Sequence, residues 1–74
     1  MAIIRSFRGV FPQVHDSVFV ADNATLVGDV QIGPRSTIWY GAVLRGDVHS
    51  IRIGSETSIQ DNTVVHVTHN RFPV

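Results

Sequence analysis

The chain has 74 residues, enough for one small domain that buries only about 60% of the surface of its unfolded form. Six arginines balance six acidic residues, which gives no electrostatic basis for binding nucleic acid or an anionic membrane. The absence of cysteine excludes disulfides, and no apolar run approaches the length of a membrane span. The first residues lack the order of a secretory signal, so a cytoplasmic location is expected.

Residues 1–13 show no regular pattern. Phe11-Pro12 interrupts regular strand pairing, because proline has no N–H to donate. We therefore expect an entry or capping segment that covers the end of the structure that follows it.

A six-residue repeat occupies residues 14–74. Its large aliphatic members are Val14, Val20, Leu26, Ile32, Ile38 and Leu44 and, after three extra residues around His49–Ile51, Ile53, Ile59 and Val65. The position four residues after each is mostly small, as at Val18, Ala24, Val30, Ser36, Ala42, Val48, Thr57 and Thr63. A fixed period of this kind is the signature of a repeat architecture.

The repeat favours short strands over helices. Apolar residues do not recur at three-to-four spacing, and turn residues interrupt every few positions. One large and one small inward residue per six residues fits an all-β parallel β-helix with three faces and about eighteen residues per coil. The chain would then stop with the β-helix incomplete at its C-terminal end, leaving strand edges unpaired.

Stacking the coils in register predicts which residues meet. Val20, Ile38 and Ile59 form one interior column, Leu26, Leu44 and Val65 a second, and Ile32 and Ile53 a third. One step further along the chain, Arg45 is expected below His66, and Trp39 below Gln60.

Three motifs carry a resemblance to a known family. They are Leu44-Arg-Gly-Asp-Val48, Ile59-Gln-Asp-Asn62 and Val65-His66, all inside the hexapeptide repeats. With this spacing the chain resembles the γ-class carbonic anhydrases, over nearly its whole length and about the first half of a complete member. The resemblance implies a left-handed β-helix, a homotrimer, and metal-dependent reversible hydration of carbon dioxide to bicarbonate.

The resemblance also assigns roles to residues. A zinc, iron or cobalt ion between subunits would be held by three histidines. His66 matches one ligand, and the other two belong to a later His-x4-His coil that this sequence does not contain. Arg45 and Asp47 match a salt-bridged pair near the subunit interface, with Asp61 in the same network. Gln60 matches the residue that hydrogen-bonds the hydroxide at the metal.

Two positions depart from the best-characterised members, where acidic residues help to move protons. Val48 and His69 stand there instead, and the chain is closer to the subgroup that lacks this acidic shuttle. Because the unperturbed pKa of histidine is about 6.5, His69 is a candidate proton shuttle.

Simpler interpretations stay open on the residues alone. A lone histidine is usually structural or solvated, and an Arg–Asp pair at a surface is worth under about 1 kcal/mol. Gln60 and Asp61 could be corner residues, and Trp39 is expected to pack against the next coil or subunit. Two other functions also fit the repeat: a hexapeptide-repeat acyltransferase that uses acetyl-CoA, and a non-catalytic scaffold or metal-binding protein of the same fold.

Overall fold

The computed structural model describes residues 2–66, with the side chains of all of these except 48, 49 and 66. Its strands are β1 (Ile3–Arg5), β2 (Gln13–Val14), β3 (Phe19–Val20), β4 (Thr25–Ile32), β5 (Thr37–Ile38), β6 (Val43–Ile53), β7 (Ser58–Ile59) and β8 (Val64–His66). Within this range there is no helix that could cross a membrane.

The strands form two parallel sheets that wrap around one core. The larger sheet has the order β1-β4-β6-β8, with β2 also paired to β4, and the smaller has the order β3-β5-β7. Strands β4 and β6 are long because each continues through a corner, so the larger sheet covers two faces and the smaller sheet the third. The architecture is therefore a three-faced parallel β-helix.

The predicted interior columns are confirmed by the strand register. Val20 pairs with Ile38 and Ile38 with Ile59 on the smaller sheet. Leu26, Leu44 and Val65 are paired in the same way on one face of the larger sheet, and Ile32 pairs with Ile53 on the other. Leu26, Ile32, Ile38, Leu44 and Ile53 belong to the buried core together with small residues such as Ala24 and Ala42. Val20, Ile59 and Val65 are partly buried and pack against it. This arrangement fills the narrow interior with one large and one small side chain per face.

The first strand lies inside the segment predicted to cover the end. β1 places Ile4 in register with Leu26, and β2 places Val14 in register with Ile32. Between the two strands the chain makes an excursion closed by an antiparallel bridge between Phe7 and Val10. The division of the chain at residue 13 stays a prediction, although strand pairing already begins at residue 3.

The position of the three-residue insertion differs from the prediction. Gly28 pairs with Gly46, but Val30 pairs with Ile51, so the extra residues lie between 47 and 50, opposite Asp29. By the six-residue period Val48 would be the small position opposite Val30, but the register already shifts between Gly28 and Val30, ahead of the insertion predicted around His49–Ile51. Ile51 occupies the position opposite Val30 and is fully buried.

Candidate functional site

Arg45 and Asp47 lie on the outer surface of β6, on either side of Gly46. Leu44 points inward, so Arg45, the next residue along the strand, points outward. The Arg45 guanidinium donates to the Asp47 carboxylate, with Nη2 and Oδ2 2.9 Å apart. The carboxylate side chain is only 15% exposed, whereas the arginine is 47% exposed. One end of this ion pair is therefore held in the fold and the other faces solvent.

Gly46 is required by the close approach of two coils. It is paired with Gly28, and a Cβ placed on Gly46 would lie 2.5 Å from the carbonyl oxygen of Asp29. Gly46 does not have a positive φ, so contact rather than torsion selects glycine here. The choice of glycine between Arg45 and Asp47 is thus determined by the neighbouring coil as well as by the corner.

An open recess of about 390 Å³ lies beside this pair. It is lined by Phe7, Arg8, Val10, Asp29, Asp47 and Ser50. The Arg8 guanidinium stands 5.3 Å from the centre of the Phe7 ring. The excursion of the first coil, which lies in the segment predicted to be an entry or capping segment, therefore forms one wall next to Asp47.

The register places the backbone of His66 beside Arg45. β8 pairs with β6, and the partners are Val43 with Val64, Leu44 with Val65 and Arg45 with His66. The predicted stacking of these two positions is confirmed for the backbone. The side chain of His66 lies outside the described part of the structure, as does the whole of His69, so their roles stay predictions.

Gln60 and Asp61 lie at a different corner, directly after β7. With Trp39 and Ser58 they line an open recess of about 580 Å³. The backbone N–H of Trp39 donates to the carbonyl of Ile59 at 2.9 Å, which brings Trp39 beside Gln60 as the stacking predicted. Both Gln60 and Asp61 are exposed. Their predicted roles, at the metal and in the Arg45 network, also stay predictions.

Trp39 contacts the coils on both sides of its own. Its ring packs on Phe19 of the preceding coil, with centroids 5.0 Å apart and planes tilted by 49°. Its Nε1–H donates to the hydroxyls of Thr37 at 3.1 Å and of Ser58, in the following coil, at 3.2 Å.

A second ion pair was not foreseen. Arg52 Nη1 lies 2.9 Å from Asp29 Oδ1 and donates to the Asp29 carbonyl at 3.2 Å. It joins β4 to β6 where the insertion shifts the register. No sequence signal could have found it, because the pairing depends on where the extra residues lie.

The side chains that the structure describes form no complete metal site. No group of three or more His, Cys, Asp or Glu side chains among those described could hold a metal ion. Catalytic zinc takes three protein ligands and a water. The described donors therefore do not fit a resident metal by themselves.

The chain is similar to known proteins of one fold class and, within it, to a narrower group. Residues 11–46 match the family model described as bacterial transferase hexapeptide (six repeats). A putative acetyltransferase from Bacillus cereus superposes with a TM-score of 0.94 at 36% identity, covering 99% of this chain and 42% of that one. A hexapeptide transferase family protein from Anaplasma phagocytophilum gives 0.83 at 52% identity, covering 84% and 37%. The fold is a left-handed parallel β-helix built from hexapeptide repeats, as predicted.

Within that class, the sequence matches a narrower group. The mitochondrial γ carbonic anhydrase 2 of Arabidopsis thaliana is 59% identical over 66 residues, which are 85% of this chain and 24% of that protein. Relatives named as γ carbonic anhydrases match at 53–59% identity over this region, which confirms the resemblance to that family predicted from residues 44–66. It spans about a quarter of the length of the plant relative.

Proposed function

We propose that the protein is a γ-carbonic-anhydrase-like enzyme that catalyses metal-dependent, reversible hydration of carbon dioxide to bicarbonate between subunits of a homotrimer. The observation that carries this proposal is the register of Arg45, paired at 2.9 Å with Asp47, against His66 of the next coil. The relatives named as carbonic anhydrases support it further. A cytoplasmic location is part of the same proposal.

His66 would be one of three histidine ligands shared between subunits. The described residues of one chain supply no complete donor set, so the remaining ligands have to come from elsewhere in the assembly. A zinc, iron or cobalt ion bound there would make hydroxide available at neutral pH by lowering the pKa of water to about 7.

The chain's own polar residues would position the reactants and the neighbouring subunit. The Gln60 amide, exposed at its corner, would donate a hydrogen bond to a reacting oxygen and orient it. The planar fork of Arg45 suits a bidentate contact with a partner carboxylate while Asp47 holds its other side, with Asp61 in the same network. His69 would pass protons to solvent.

The outer surface of the same sheet supports an interface there. Ile3 and Val64 point away from the core and are 47% and 64% exposed. Both precede the inward-facing residue of their strand, as Val43 does on β6. With Thr25, which lies between Ile3 and Val43, they form a mostly apolar row beside the row of Arg45. Burying such a row against another subunit would stabilise an assembly by about 25 cal/mol per Å² of apolar surface.

Metal analysis combined with stopped-flow carbon dioxide hydration tests the proposal in the native protein. We expect metal-dependent hydration in the wild type and a loss of metal affinity of more than about 100-fold in His66→Ala. His15→Ala is the matched control, because His15 is an exposed histidine whose Nδ1 lies 2.8 Å from the Ser17 hydroxyl and accepts from the Ser17 N–H. A correctly folded trimer that binds no metal, or His66→Ala binding metal like the wild type, would contradict the proposal.

An acyltransferase is the second candidate, favoured by the structural match to the protein named a putative acetyltransferase. The same preparations can be assayed for release of coenzyme A from acetyl-CoA with a thiol reagent. Turnover of acetyl-CoA without metal-dependent hydration would replace the first proposal with this one. Neither activity, together with no bound metal, would identify a scaffold of the same fold.

A further inference from the structure

We infer that Trp39 is a positioning residue that holds the Gln60 amide in place, an inference that rests on the role proposed above for Gln60. The two side chains line one recess together with Ser58 and Asp61. Trp39 acts through Gln60 in this account and does not contact the reactants.

The indole of Trp39 is held at three points. Its ring packs against Phe19, and its Nε1–H is shared between the hydroxyls of Thr37 and Ser58. A ring that only filled space against Phe19 would need neither hydroxyl. Packing against Phe19 alone would let the indole rotate within its own plane. The hydrogen bonds of Nε1–H to the two hydroxyls fix that rotation.

The same contacts tie the indole to β7, the strand that ends directly before Gln60. The Trp39 backbone N–H donates to the carbonyl of Ile59, the residue immediately before Gln60. Ser58, which accepts from the indole, lies on β7 two residues before Gln60, and Gln60 directly follows that strand. The ring is therefore fixed relative to Gln60 by one backbone and one side-chain hydrogen bond.

The Gln60 side chain needs a fixed neighbour because it can adopt many rotamers. Its side chain is long and lies on an exposed residue, and within residues 2–66 its amide makes no hydrogen bond. Ordering a glutamine side chain costs up to about 2 kcal/mol of rotamer entropy. A fixed indole beside it removes rotamers before any reactant arrives, which is what a hydrogen-bonding group in a reaction site requires.

The first experiment measures the side-chain rotamer of Gln60 directly, by NMR in the native protein. We expect three-bond couplings that report a single χ1 rotamer in the wild type and averaged couplings in Trp39→Ala. Trp39→Phe keeps a ring but loses the Nε1 donor, so its couplings should lie between the two. The pair Thr37→Val and Ser58→Ala, which keeps the indole and removes both acceptors, should behave like Trp39→Phe.

The second experiment is a double-mutant cycle on carbon dioxide hydration. Trp39→Ala should lower kcat about 10- to 100-fold with little change in KM, because misplacing a reacting group is costly. In a Gln60→Ala background the same substitution should cost less than about twofold, since the effects of residues in one network are not additive. Phe11→Ala, an exposed aromatic residue outside the recess, is the control and should retain wild-type kinetics.

The two readouts separate this inference from the proposed function. Couplings of Gln60 that are unchanged in Trp39→Ala would overturn the inference, whatever the hydration assay gives. Fully additive losses in the cycle would overturn it as well. A wild-type protein without hydration activity would refute the proposed function, and the NMR comparison would still decide the relation between Trp39 and Gln60.

Discussion

Gly46→Ala offers the sharpest test of the stacked-coil geometry. The added Cβ would lie 2.5, 2.6 and 2.9 Å from the carbonyl O, C and N of Asp29, all backbone atoms of the neighbouring coil. Carbon atoms normally approach other heavy atoms to about 3.5–4.0 Å, so the two coils would have to separate by about 1 Å. Because the clashing atoms belong to the backbone, no side-chain rotation can relieve the clash. The pairing of β4 with β6 must therefore be disrupted locally.

The expected loss follows from that displacement. A separation of about 1 Å breaks one or two interstrand hydrogen bonds, worth about 0.5–1.5 kcal/mol each, and overpacking adds about 1–3 kcal/mol. We expect the free energy of unfolding to fall by about 3 kcal/mol, and the urea midpoint by at least about 1 M.

Gly54→Ala is the matched control, since Gly54 also lacks a positive φ and its Cβ would meet nothing closer than Thr57 Oγ1 at 3.9 Å. We expect it to be neutral or stabilising by up to about 1 kcal/mol. Urea unfolding followed by circular dichroism measures both variants. If Gly46→Ala unfolds within about 0.5 kcal/mol of the wild type, or no lower than Gly54→Ala, the close approach of the coils is refuted.

Three further substitutions test the core, a buried hydroxyl and the outer ion pair. Ile51→Ala should lower the free energy of unfolding by about 2–5 kcal/mol, since Ile51 is fully buried, and a loss near zero would place it outside the core. Ser36→Ala should cost about 1–3 kcal/mol in the same assay, because the buried hydroxyl donates to Gly54 O at 2.7 Å and accepts from Thr57 N–H; an unchanged midpoint would contradict this. Arg45→Ala should cost under about 1 kcal/mol of stability but weaken trimer assembly in sedimentation velocity, and an unchanged trimer would exclude the interface role.

Much of the fold was predictable because its repeat is local and regular. The six-residue spacing of large aliphatic residues predicted the interior columns, and the register confirms them at Leu26 and Leu44 and at Ile38 and Ile59. Each face buries the same kind of residue at the same step, so counting along the chain is equivalent to moving up the stack. The adjacency of Arg45 to His66 and of Trp39 to Gln60 follows from the same counting.

Counting along the six-residue period predicted less of the candidate site than of the fold. The motifs identified Arg45 and Asp47, and the structure pairs them at 2.9 Å. The spacing could not show that Gln60 and Asp61 line a different recess from Asp47. Their separation follows from the corner after β7, which is a property of the coil and not of the motif.

The period and the columns could be predicted from the sequence alone, because they depend only on which residue types recur and at what interval, and the family was indicated by the resemblance of three motifs. Tertiary structure decided the rest. The insertion between 47 and 50 places Ile51 over Val30 and brings Arg52 to Asp29, and the Phe7–Val10 excursion forms a wall beside Asp47. Where an insertion or excursion interrupts the six-residue repeat, the packing of adjacent coils determines which residues contact each other. That packing involves residues distant in the sequence, and no local pattern encodes it.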